Sequence, residues 1–84
     1  MMVDFNEIVR RRRKKLGLTM AKLAMLADVD RTYISKIENE GRIPSLKIVI
    51  ELLIALDVTK QEFEKIDLRK YPRKMIRTFL KEEE

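Results

Sequence analysis

The first 42 residues of this 84-residue chain carry ten Lys and Arg side chains against six carboxylates. Six of the cations are consecutive, Arg10 through Lys15. Three more, Arg31, Lys36 and Arg42, are interleaved with the hydroxyls and amide of Thr32, Tyr33, Ser35 and Asn39. Groups of these types donate hydrogen bonds to phosphate oxygens, and Arg or Lys can also donate to guanine O6 and N7. From Ile43 to Ile66 the balance reverses to three cations against four carboxylates, so the basic character belongs to one half of the chain. Cys 0 and His 0 remove thiolate nucleophiles, disulfides, Ser-His or Cys-His relays and the usual zinc ligand sets. No catalytic constellation, metal or cofactor is implied. What remains is recognition of an anionic partner, in keeping with a net charge of +5.

These side chains need elements to hold them. A chain of this length is one small domain, and 45% hydrophobic residues make it too apolar for disorder. With Gly 2 and Pro 2 there is little for the turns of an all-β fold, so a compact helical domain is expected. No apolar stretch approaches the roughly 18 residues of a membrane span, and the expectation is a cytoplasmic protein with no membrane partner. Phe5, Ile8, Val9 and Leu16 fall at helical spacing and predict a first helix over 4–16, stopped at Gly17. Its acidic first turn and basic last turns suit the helix dipole, which explains part of the cationic run. Six consecutive cations nevertheless wrap every side of a helix, so some face away from the core together.

Thr19 is an N-cap for a short helix over 20–27, with Leu23, Ala24 and Ala27 as its apolar edge. After a break at Asp28, Val29 and Asp30, Asp30 caps a third helix over 31–38. Ile34 and Ile37 face inward there and leave Arg31, Thr32, Ser35 and Lys36 outside. Two short helices joined by so brief a turn must cross steeply, with the small Ala24 allowing close approach. That is helix-turn-helix geometry.

The stretches Leu16-Gly-Leu-Thr-Met-Ala-Lys-Leu-Ala, Val29-Asp-Arg-Thr-Tyr-Ile-Ser-Lys-Ile-Glu-Asn and Arg42-Ile-Pro-Ser-Leu resemble the phage Cro and repressor type helix-turn-helix, the xenobiotic response element family of transcriptional regulators. The resemblance runs from about Arg10 to Lys65 and implies an all-α, lambda-repressor-like domain of five helices. It implies that the second helix of the pair lies in the major groove of double-stranded DNA. Arg31, Thr32 and Lys36 would then read base edges, and Tyr33 and Ser35 would touch phosphate or sugar. Asn39 resembles the family's phosphate-contacting residue just past that helix. Arg13 and Glu38 match positions that in relatives form an ion pair bracing the first helix, with the guanidinium also near phosphate. Arg42, Thr19 and Met20 complete the implied backbone contacts. Three departures stand out: Met20 replaces a common phosphate-contacting Gln, Asp28 replaces a turn Gly, and Glu40 brings a negative charge next to the DNA.

Pro44 and Ser45 open a fourth helix to about residue 56, and a Thr59 to Glu62 capping box opens a fifth with Phe63 and Ile66 inward. Leu46, Val49, Leu53 and Leu56 suffice for a core, so Ile48, Leu52 and Ile54 read as surplus apolar area. Pro72 could start an additional C-terminal helix with Met75, Ile76, Phe79 and Leu80 in one stripe. The division is therefore a DNA-binding domain over 1–66 and an extension over 67–84. The extension either folds back on its own domain or pairs with a second copy. The expected protein is a homodimeric transcriptional regulator, a repressor on a pseudo-palindromic operator, with no enzymatic function. The alternative is an antitoxin or interaction module whose main partner is a toxin or other protein.

Overall fold

A computed structural model describes residues 2–72 and 74. Among the described residues five helices form in order: α1 (Phe5–Lys15), α2 (Met20–Ala27), α3 (Arg31–Glu40), α4 (Leu46–Ala55) and α5 (Lys60–Lys65). Most boundaries are set by local chemistry. The side chains of Thr19, Asp30, Ser45 and Thr59 each accept a hydrogen bond from an otherwise orphaned N–H in the first turn that follows. Thr59 and Glu62 form the reciprocal capping box. At the other ends the chain turns left-handed at Gly17, Asp28, Gly41 and Asp57. The amides of Leu18, Val29 and Val58, each just past such a residue, then close on carbonyls of the preceding helix at 2.9–3.2 Å.

Val9, Leu23, Ile34, Ile37, Val49, Leu52, Leu56 and Ile66 make the centre of the core, each essentially without solvent exposure. They come from α1, α2, α3, α4 and the segment after α5. Phe63 is half-buried against this core. An element the sequence did not suggest joins the segment before α1 to the segment after α5: β1 (Val3–Asp4) pairs in parallel with β2 (Ile66–Asp67), Val3 opposite Ile66 and Asp4 opposite Asp67. Ile66 thus reaches the core from a strand rather than from α5. Leu68 is also buried, so packing continues across the boundary expected at residue 66. Just beyond, Tyr71 donates from its hydroxyl to the Pro44 carbonyl, tying this segment to the loop between α3 and α4. The Asp67 carboxylate accepts from Arg69 through both oxygens, at 2.9 Å each, and these bonds hold it at a pKa of about 2.

One expectation requires correction. Leu52 was expected on a surplus face available to a second subunit; it is fully buried among its own domain's core residues and offers no surface. Leu16, grouped with Phe5, Ile8 and Val9 by its spacing, is 41% exposed, because α1 ends at Lys15 and the chain is already turning. Arg12, one of the six consecutive cations, is buried. Its guanidinium donates to the carbonyls of Leu56 (3.1 Å) and Asp57 (3.0 Å) and lies 3.7 Å from Glu62, satisfying the C-terminal end of α4. The spacing held the signal, since Ile8, Val9 and Arg12 share one stripe of α1. Ile48 is half-buried and Ile54 is 46% exposed. Met75, Ile76, Phe79 and Leu80, with the additional helix proposed for them, lie outside the described residues.

The brace between α1 and α3 is ionic. Glu38, its side chain fully buried, accepts from Arg13 Nε at 2.7 Å and Arg13 Nη2 at 2.9 Å, while Arg13 Nη1 donates to the Leu18 carbonyl at 2.9 Å. The Glu38 carboxylate holds the Arg13 guanidinium more firmly protonated than usual.

Three outcomes follow from this packing. Leu52→Ala should lower stability by about 2–5 kcal/mol in urea melts, as for other fully buried leucines, without altering the sedimentation coefficient of the folded protein. Arg13→Met should cost about 3–5 kcal/mol by the same measurement, because it leaves a buried carboxylate without its fork. The Asp67 carboxyl should titrate near 2 by carbon-13 NMR. Its contribution to stability is complete above the ordinary carboxylate range near 3.9 and disappears as pH falls through about 2; Arg69→Ala should raise the midpoint toward the ordinary value without reaching it, because the main-chain N–H at position 69 still donates to Asp67 at 3.2 Å.

Candidate nucleic-acid interface

α2 and α3 are joined by Asp28, Val29 and Asp30, and Leu23, Ala24 and Ala27 of α2 are buried beside Ile34 and Ile37 of α3. So short a connection is possible because Asp28 takes the left-handed conformation, φ 56° and ψ 48°, a region that Asp enters more readily than most residues. Asp30 then starts α3, accepting from the Thr32 amide at 2.7 Å. That bond holds the Asp30 carboxyl below its ordinary pKa, so the cap stays ionised. The negative cap also suits the positive end of the helix dipole.

With Ile34, Ile37 and Glu38 turned inward, the opposite face of α3 presents Arg31, Thr32, Ser35, Lys36 and Asn39, with Ser35 and Lys36 half-exposed and the others exposed. At 100° per residue these five positions form one continuous strip along the helix. The structure thus brings together all three residues expected at base edges, Arg31, Thr32 and Lys36. Among the described residues neither Arg31 nor Lys36 forms an ion pair, and the nearby α2 cation Lys22 forms none either. Asn39 donates from Nδ2 to Ser35 Oγ at 3.2 Å and accepts from Arg10 Nη2 at 2.8 Å.

Around this strip the other expected contacts are disposed unequally. Tyr33 is half-buried against the core, with the Arg42 guanidinium 5.9 Å from its ring centroid, a cation–π pair that holds Arg42 at the start of the loop after α3. The Arg42 amide also donates to the Lys36 carbonyl at 3.1 Å. Glu40 is exposed and, among the described residues, has no ion pair with Arg42. The Thr19 hydroxyl accepts from the Lys22 amide at 3.0 Å. The Met20 side chain packs against the core, so at the N-terminus of α2 Met20 offers only its backbone amide. Arg13 commits three of its N–H bonds to Glu38 and Leu18, and its side chain is 12% exposed. Its assured role is the brace. Arg10 was not singled out from the sequence, and only the tertiary contact of α1 with α3 reveals that it reaches Asn39.

Chemically, the strip offers donors and positive charge on a helix whose orientation is fixed from behind, the arrangement for reading groove edges and phosphates. Among the described residues no helix is long and apolar enough to cross a membrane. No curated protein matches the chain. A protein-family model described as Helix-turn-helix matches residues 9–63, from α1 into α5, about two thirds of the chain. The family is one of DNA-binding regulatory domains and is not an enzyme family. The match covers the α2–turn–α3 unit and the Arg13–Glu38 brace together, and the chain belongs to the Cro and repressor type helix-turn-helix family, the xenobiotic response element family of DNA-binding transcription regulators.

Proposed function

We propose that this protein is a homodimeric repressor that binds a pseudo-palindromic operator by laying α3 in the major groove. The observation that carries the reading is the α3 strip itself: Arg31 and Lys36 stand out from a rigidly seated helix, free of ion pairs among the described residues, with Thr32 between them in the exposed face. Arg31 and Lys36 donate to guanine O6 and N7, and Thr32 uses its hydroxyl or sets its methyl against thymine. Ser35, Asn39, Tyr33 and Arg42 serve the sugar-phosphate backbone, with the Thr19 and Met20 end of α2 contributing main-chain N–H groups. Arg13 adds its charge near the backbone while bracing α3. Occupancy of a promoter by the dimer excludes polymerase.

The dimer reading draws on exposed Ile54 and half-buried Ile48 of α4, together with the apolar Met75, Ile76, Phe79 and Leu80 beyond the described residues. Two-fold symmetry sets the two α3 helices about 34 Å apart, one turn of DNA.

Selection of the purified protein against a random duplex library at physiological salt tests the reading. An inverted repeat with half-sites one turn apart is the expected product. A single half-site removes the dimer, and no enrichment with binding that vanishes as salt rises removes operator recognition altogether. On the selected site, Arg31→Ala should cost about 1–3 kcal/mol and relax preference at one base position per half-site; unchanged preference would remove Arg31 from the base readers.

A further inference from the structure

α1 and the last turns of α3 are joined by a directed chain of hydrogen bonds. Arg10 Nη2 donates to Asn39 Oδ1 at 2.8 Å and to the Glu38 carbonyl at 3.3 Å, and Asn39 Nδ2 donates to Ser35 Oγ at 3.2 Å. The direction is forced, because a guanidinium has donors only. The amide must turn its oxygen toward Arg10 and its nitrogen toward Ser35. Ser35, having accepted from Asn39, keeps its own O–H to give, and Asn39 keeps a second N–H. Among the described residues neither of these donors finds an acceptor.

The buried Glu38 carboxylate does not explain Arg10. Arg13 already grips both of its oxygens at 2.7 and 2.9 Å, whereas Arg10 Nε stands 3.8 Å away. The closest partner of the Arg10 guanidinium is the Asn39 amide. We propose that Arg10 is a positioning residue for DNA-backbone binding: by occupying the amide oxygen of Asn39 it leaves only donors on the Ser35–Asn39 edge of α3, the polarity that a phosphate oxygen requires. Without Arg10 the amide is free to flip and to present its oxygen, an acceptor, to an anion. With Arg10 the positive charge at the head of the chain polarises each following bond toward the outer donors. The inference rests on the backbone role given above to Ser35 and Asn39.

A double-mutant cycle on the full chain, bound to the selected duplex, tests it. Arg10→Met and Asn39→Ala should each weaken binding about five- to ten-fold, the size of one net hydrogen bond, and the double variant should be no weaker than the worse single one. Base preference should be unchanged. Arg10→Met should lower the salt slope by less than the ~0.9 that a lost cation–phosphate contact removes. If the two effects multiply and the slope falls by about 0.9, Arg10 binds phosphate directly and this inference alone is overturned. If Asn39→Ala leaves affinity unchanged, the inference and the backbone assignment of Asn39 fall together. Urea midpoints of each variant separate weaker binding from weaker folding. If Arg10→Met does not fold, the same cycle built on Arg10→Ala, which also leaves no donor for the Asn39 amide oxygen, reads the same coupling.

Discussion

Taking the Glu38 carboxylate out of water is unfavourable by several kcal/mol unless its lone pairs are met by well-placed donors. In this fold its side chain is fully buried, and Arg13 meets both oxygens with a planar fork. Arg13 stands on α1 and Glu38 on α3, so the requirement fixes the rotation of α3 about its axis as well as its distance from α1. Ile34 and Ile37 then enter the core, and the strip of Arg31, Thr32, Ser35, Lys36 and Asn39 is turned outward. Turning α3 by one residue, about 100°, would expose the carboxylate and bury polar groups that have no partners inside. The outward face is a consequence of the inward one.

α1 divides its cations among several tasks. Arg12 enters the interior to satisfy the last carbonyls of α4, Arg13 grips Glu38, and Arg10 reaches across to Asn39. Arg11 pairs with Glu7 one turn away on the surface, where an ion pair is worth little. Only Lys14 and Lys15 of the run are left simply exposed. A stretch that looks like one basic patch is mostly a strut. Among the described residues no buried side-chain nitrogen or oxygen lacks a hydrogen-bond partner, so these charges are accommodated without orphaned groups.

This division sets α3 and the loop after it apart, where Arg31, Lys36 and Arg42 form no ion pair among the described residues. Met20 sends its side chain to the core and Thr19 uses its hydroxyl on the Lys22 amide, so the N-terminus of α2 has main-chain donors but no long polar side chain to extend them. Arg42, stacked near Tyr33, brings a positive group to the loop that follows Glu40. The loop is itself held from behind by Tyr71, which lies beyond the residues matched by the family model.

Much of the architecture was legible because its causes are local. Thr19, Asp30, Ser45 and Thr59 cap the helices they precede, Asp28 turns left-handed where a tight connection is needed, and the apolar spacing of α2 and α3 assigns Leu23, Ala24, Ala27, Ile34 and Ile37 to the core. The grouping of Arg31, Thr32 and Lys36 on one face follows from the same helical period. Other features depend on which surface meets which. Periodicity says that α4 is apolar nearly all round, but only the arrangement of its neighbours decides that Leu52 is buried and Ile54 is not. Arg12, Arg10 and the pairing of Val3–Asp4 with Ile66–Asp67 are settled by partners 28 to 63 positions away along the chain. By itself the sequence determined the helices, their ends and the face of α3 that carries the chemistry, because caps, turns and periodicity act within a few residues. Tertiary structure alone decided which cations became struts and which remained exposed, because a charged group's role depends on the partner that folding brings to it.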